Sequence, residues 1–220
     1  GGPGGLVAHY TFGEGSGRQT VDHVSKLPAN FSDDIKEANA WKTLEGLGFS
    51  PARALELDGY KDYVTGRTAS EYGVGGAAHR TFACWVKARS FGHRRGVYHI
   101  GKFGPKNHDF SLCTNSTDHG WVLQLWGNDQ GFYVANSKDV WIHFAVTYDG
   151  TDAKVYANHV YIIREVNAGL QASPLPQTRP LCLFGQPQPP SRGPAAAQKQ
   201  PTSRARHQRD QRAGGPQDLA

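Results

Sequence analysis

The 220-residue sequence contains no methionine. Without an initiator, and with only Gly1-Gly2-Pro3-Gly4-Gly5 where a basic, apolar and small-residue leader would stand, the chain reads as a processed or excised piece of something longer. No run approaches the roughly 18 to 20 apolar residues that cross a bilayer, so no membrane span is expected. Cysteine is scarce. Cys84, Cys113 and Cys182 form no CxxC pair and no metal spacing, and three thiols cannot all pair within one chain. Their strand-like neighbours point to small buried apolar residues, with a single disulfide as the competing reading. Helical periodicity is nearly missing, and only Ser32–Ala40 could make two turns. A basic body is also missing. The formal charge is +5, but Pro187–Ala220 holds six of the 24 basic and two of the 19 acidic residues, a net +4. A nearly neutral body excludes the broad basic face of a nucleic-acid binder. The spaced arginines of the tail fit a solvated linker.

What the sequence does have is aromatic: five Trp, nine Tyr and ten Phe, enough large rings for a sizeable core. They fall in short β-rich runs broken by Gly, Asn, Asp and Pro. The pattern predicts strands at Leu6–Phe12, Ala54–Leu57, Tyr63–Val64, Thr81–Ala88, Gly96–Ile100, Phe110–Thr114, Trp121–Trp126, Gly131–Val134, Trp141–Tyr148, Ala153–Tyr156, Val160–Arg164 and Leu181–Phe184. Within Trp141–Tyr148, Ile142, Phe144, Val146 and Tyr148 share an apolar face opposite Trp141, His143, Ala145 and Thr147. Within Trp121–Trp126, Trp121, Leu123 and Leu125 oppose Val122, Gln124 and Trp126. One apolar and one mixed face is the signature of antiparallel strands covering a core on one side. Many such strands without intervening helices give an all-β, two-sheet antiparallel sandwich over residues 6–186, after a flexible leader at 1–5. From 187 to 220 there is no Phe, Trp or Tyr. That segment cannot bury enough apolar surface to offset its ordering entropy, so disorder is expected there.

Four segments, in order, carry a family resemblance. They are Leu6-Val7-Ala8-His9-Tyr10-Thr11-Phe12 with its Gly13-Glu14-Gly15-Ser16-Gly17 turn, Ala54–Val64 with Asp58-Gly59, Thr81–Lys87 with its central Trp85, and Trp141–Gly150 with its Tyr148-Asp149-Gly150 turn. Together they resemble the concanavalin-A-like, laminin-G-like (LamG) jelly-roll superfamily over about Leu6 to Gly185. The resemblance implies a jelly-roll sandwich that binds a partner. It also implies a closing strand beside the first one, of which Pro187–Ala220 shows nothing. An unpaired sheet edge near Leu6–Phe12, open to another chain, follows as an expectation. Asn158-His159 stands where relatives have Asp-Gly or Asn-Gly, losing a favoured positive-φ glycine.

The chemistry points away from an enzyme. Sugar-cleaving members of the superfamily resemble one another in a Glu-x-Asp-x-x-Glu strand. Here Glu56-Leu57-Asp58 is followed by Gly59, Tyr60 and Lys61, and the second glutamate never arrives, whereas glycoside hydrolysis needs two flanking carboxylates. Gly96-Val97-Tyr98-His99-Ile100-Gly101-Lys102 lacks the Ser/Thr and the helix of a phosphate loop. Gly13–Arg18 lacks the last glycine and the helix of a dinucleotide fold. His93, His99, His108 and His119 form no zinc pattern. The resemblance does imply a possible rim calcium, placing Asp58 and neighbouring Asp62 as its candidate ligands, with no other cofactor expected. The aromatic and polar residues out of phase with the apolar faces, namely Trp85, Gln124, Trp126, Tyr133 and His143, are the candidate ligand-binding set. Rings that stack on sugar C–H faces beside groups that read hydroxyls are how proteins hold carbohydrate. The reading is a non-catalytic module for a glycan or glycoprotein. The alternative is an interaction subunit docking through its open edge, and a polysaccharide-active enzyme is third. Asn30-Phe31-Ser32 and Asn115-Ser116-Thr117 are glycosylation acceptors and lean towards an extracellular or cell-surface setting; an intracellular assembly is the alternative.

Overall fold

A computed structural model describes residues 5–44, 53–92, 94–101, 106–167 and 180–183. The strands are β1 (Gln19–Val21), β2 (Pro28–Phe31), β3 (Trp41–Thr43), β4 (Arg53–Leu55), β5 (Val64–Thr68), β6 (Arg80–Lys87), β7 (Gly96–Gly101), β8 (Asp109–Thr114), β9 (Gly120–Gln124), β10 (Gln130–Tyr133), β11 (Trp141–Tyr148), β12 (Asp152–Ala157), β13 (Val160–Asn167) and β14 (Pro180–Leu183). One sheet of eight strands runs β1-β2-β5-β14-β7-β8-β9-β10, a second of four runs β13-β12-β11-β6, and β3 pairs with β4 alone. All strand pairings in these sheets are antiparallel. Two antiparallel sheets face to face make a jelly-roll sandwich.

The core sits between the sheets because alternation sends large apolar side chains inward from both. Phe144 and Tyr148 of β11 meet Trp121 of β9 and Phe110 of β8, with ring centroids 4.6 and 6.0 Å apart. Phe82 of β6 stacks on Tyr98 of β7 at 3.7 Å. Ile142, Phe144, Val146 and Tyr148 are all buried, as their alternation predicts. The buried Trp121 indole still finds a partner, donating to the Ser137 hydroxyl at 3.1 Å.

Turn chemistry locks the strands. After β11, the Asp149 carboxylate accepts the amides of Thr151 and Asp152 at 3.0 and 2.8 Å, while Gly150 takes φ 94°. Between β12 and β13, Asn158 and His159 both adopt positive φ, 47° and 68°. That is the mirror-image turn that matches strand twist, reached without glycine. Asn158 stabilises it by accepting the His143 amide on its side-chain oxygen at 2.9 Å and donating its own amide to the His143 carbonyl at 2.9 Å.

Several expectations need correction. Leu6–Phe12 is not a strand. His9 donates its amide to the Asp22 carboxylate and its carbonyl accepts the His23 amide, both at 2.8 Å, so a side chain takes part of the place of a ladder. Ala8, Tyr10 and Phe12 still pack on the core. The unpaired edge foreseen at Leu6–Phe12 therefore does not lie there; among the described residues the sheets end at β1, β10, β13 and β6. The helix Ser32–Ala40 shrinks to one turn, α1 (Glu37–Ala40). Short strands β1, β2 and β3 went unforeseen, since three or four residues give no alternation to read. Val122 and Gln124, assigned to a partly solvated face, are 4% and 5% exposed. On that side of the eight-stranded sheet polar groups satisfy one another: the His99 ring nitrogen Nδ1 lies 2.7 Å from the Ser111 hydroxyl, and the Cys113 thiol points at Gln124 Oε1. Cys84 and Cys113 are free thiols, and burial pushes Cys84 up to about 12. The side chain of Cys182 and the tail 187–220 lie outside the described residues.

Candidate functional site

Eight consecutive pairs join β6 to β11 with no shift of register, and alternation puts every second side chain of each on the solvent side. Trp85 thereby stands directly opposite His143, ring centroids 5.1 Å apart, with the tryptophan 54% exposed. The β12–β13 turn brings His159 against the other side of His143, at 6.0 Å and nearly parallel. In the next row, Ala83 and Ala145 oppose each other, and Ala145 opposes Tyr156, which in turn opposes and stacks on Tyr161 at 5.1 Å. Two rows thus cross the four-stranded sheet. One is Trp85–His143–His159; the other runs from two alanines to two tyrosines. Thr81, Lys87, Thr147 and Lys154 lie on the same side and give it a polar border.

The five sequence-predicted residues are split by this geometry. Trp85 and His143 come together. Gln124 is buried in the eight-stranded sheet. Trp126 follows β9 in a positive-φ bend, its carbonyl accepting the Asn107 amide at 3.1 Å. Tyr133, 59% exposed on β10, stands edge-on to His119 at 5.8 Å. None of these three shares a sheet with Trp85. Tyr156, Tyr161 and His159 were missed, although the first two are out of phase with the apolar residues of their strands. Only pairing order puts them beside Trp85.

Glu56 and Asp58, the residues that begin like a glucanase strand, are occupied otherwise. Glu56 pairs with Arg89 and, at 3.6 Å, with Lys42. Asp58 holds the Gly59 turn: its Oδ1 accepts the amides of Tyr60, Lys61 and Asp62 at 2.7, 3.0 and 3.0 Å, and Gly59 takes φ 70°. Burial alone would raise the Asp58 carboxyl, but those amides and Arg95 together hold it below its ordinary value. Asp62 accepts the Asp58 amide at 3.0 Å. Its carboxyl is raised, by burial first and then by the negative charges of Asp58 and Asp34. Calcium takes six to eight oxygen ligands. Among the described residues no group of three or more His, Cys, Asp or Glu gathers to hold a metal, so the side chains seen here do not complete such a cage.

Residues 58–193 match the family model of the concanavalin A-like lectin/glucanases superfamily, and the chain belongs to that superfamily. Its domain is of the lectin-like binding kind. No curated protein and no solved structure gives a match. Among the described residues no helix is long and apolar enough to cross a membrane.

Proposed function

We propose that the domain is a non-catalytic module that binds a carbohydrate or glycoprotein on the solvent side of its four-stranded sheet, with Trp85, His143, His159, Tyr156 and Tyr161 as the platform. The observation that carries this reading is the exposed Trp85 ring set against His143 in an unbroken register. A solvent-facing sheet surface ordinarily carries polar residues. Here adjoining rings with a border of hydroxyls and amines offer a pyranose both a face to stack on and groups to read its hydroxyls. Rings held by a rigid ladder also lose little entropy on binding. A glycan array, followed by calorimetry on the ligand it returns, tests the reading. Trp85→Ala should weaken binding about tenfold or more, the usual result of truncating a central aromatic anchor. The thermal midpoint should hardly move, since the ring is half in solvent. Unchanged affinity, or equal loss of affinity and fold, would refute it.

Calcium at Asp58 and Asp62 is a subsidiary proposal. It is supported by the two carboxylates in one turn, where burial first and then the charges of Asp58 and Asp34 raise Asp62, and limited by the small number of ligands around them.

A further inference from the structure

The four-stranded sheet ends on β6, whose one sheet neighbour among the described residues is β11. An edge strand exposes a row of backbone donors and acceptors, and proteins usually blunt such edges with proline, bulges, short length or inward charges. β6 is eight residues long, contains no proline, and pairs with β11 without a bulge. Its inward side is also incompletely covered. Ile142, Phe144 and Val146 on β11, and Ala153 and Val155 on β12, are buried to 3% exposure or less. Phe82, Cys84 and Val86, which point the same way from β6, are only partly buried. Among the described residues no strand lies beyond β6 on this side of the sandwich.

We propose that a second copy of this chain closes it, β6 pairing antiparallel with β6 across a two-fold axis at Cys84 to form one continuous eight-stranded sheet. The sequence of the strand is complementary to itself in this register. On the inward side Phe82 would oppose the partner's Val86, with Cys84 opposite the partner's Cys84, so the surface these partly buried groups still show is covered. On the solvent side Trp85 would oppose the partner's Ala83, large against small, and Lys87 would oppose the partner's Thr81, so no like charges meet. An isologous contact of this kind is closed and stops at two chains. The pairing needs no ligand, so it stands or falls separately from the sugar-binding reading. It would place two aromatic platforms side by side on one surface.

Sedimentation equilibrium of the full chain across a wide concentration range reads this directly. The expected mass is that of two chains, falling to one on dilution. Thr81→Lys, a change at an exposed position, sets like charges opposite Lys87 twice per dimer and should raise the dissociation constant about three- to thirtyfold. The double variant Thr81→Lys with Lys87→Glu should restore it. Near-ultraviolet circular dichroism, unchanged in both, shows that folding is intact. A monomer at every concentration overturns the proposal, as does a dimer that Thr81→Lys leaves unaffected.

Discussion

Replacing Arg80 with methionine removes a cation from the interior. The guanidinium lies between the sheets, its central carbon 4.7 Å from the ring of Phe110 on β8 and 4.8 Å from that of Tyr148 on β11. One terminal nitrogen donates to the carbonyls of Val74, Gly76 and Ala78 at 2.5, 3.0 and 3.2 Å, gathering the loop that leads into β6. No carboxylate answers the charge in any ion pair among the described residues. Burial lowers its pKa to about 10, and that depression corresponds to roughly 3 kcal/mol of disfavoured charge. Against that cost stand the two N–H groups of that nitrogen, shared among the three carbonyls and equivalent to two charge-assisted hydrogen bonds of about 1.5 to 3 kcal/mol each, and two ring contacts of about 0.5 to 2 kcal/mol each. Three acceptors crowd two hydrogens, so figures a little below the middle of these ranges apply and the gross gain is about 6 kcal/mol. Arg80→Met gives up that gain, recovers the charge penalty, and fills most of the volume. The net loss should be about 3 kcal/mol. Urea unfolding measures it as a fall in midpoint with unchanged slope. A loss under about 1 kcal/mol would show that desolvation of the guanidinium cancels its bonds, as in many buried ion pairs, and would refute the reading that Arg80 stabilises the fold through them.

The loops carry three further outcomes. A carboxyl whose folded pKa is raised, as at Asp62, makes the fold lose stability as pH climbs from the unfolded value to the folded one. Asp62→Asn, which keeps an acceptor for the Asp58 amide, should therefore raise the thermal midpoint above that window and leave it unchanged in strong acid. A rim calcium would raise the wild-type midpoint relative to EDTA at neutral pH and not that of the variant; identical wild-type midpoints would remove the ion from this turn. His159→Gly relieves a non-glycine residue at φ 68° and should stabilise the fold by up to about 1 kcal/mol. It also deletes one ring of the platform, so calorimetry should find weaker binding in a more stable protein. A destabilised variant would mean that the His143 contact outweighs the strain.

The split between what was legible in the sequence and what was not follows the range of the interactions. Alternation is local, so Trp141–Tyr148 could be read residue by residue, core face and solvent face alike, and the turn at Asp149-Gly150 with it. Cysteine spacing, the missing second glutamate and the neutral body were equally local facts. Leu6–Phe12 looks like a strand and is not one, because whether a segment joins a ladder depends on what lies beside it; there the Asp22 carboxylate took the backbone amide. Gln124 looks solvent-facing and is buried, along with the polar side chains of His99, Ser111 and Asp109 on the same side of its sheet. Trp85 and His143 are far apart in the chain and indistinguishable by periodicity from Trp126 and Tyr133. Strand order separated them, setting the first two opposite each other and leaving Tyr133 on the other sheet and Trp126 in the bend after β9. The sequence by itself determined which side chains of Trp141–Tyr148 turn away from the core. Only the tertiary structure, through pairing between distant strands, decided which others they meet.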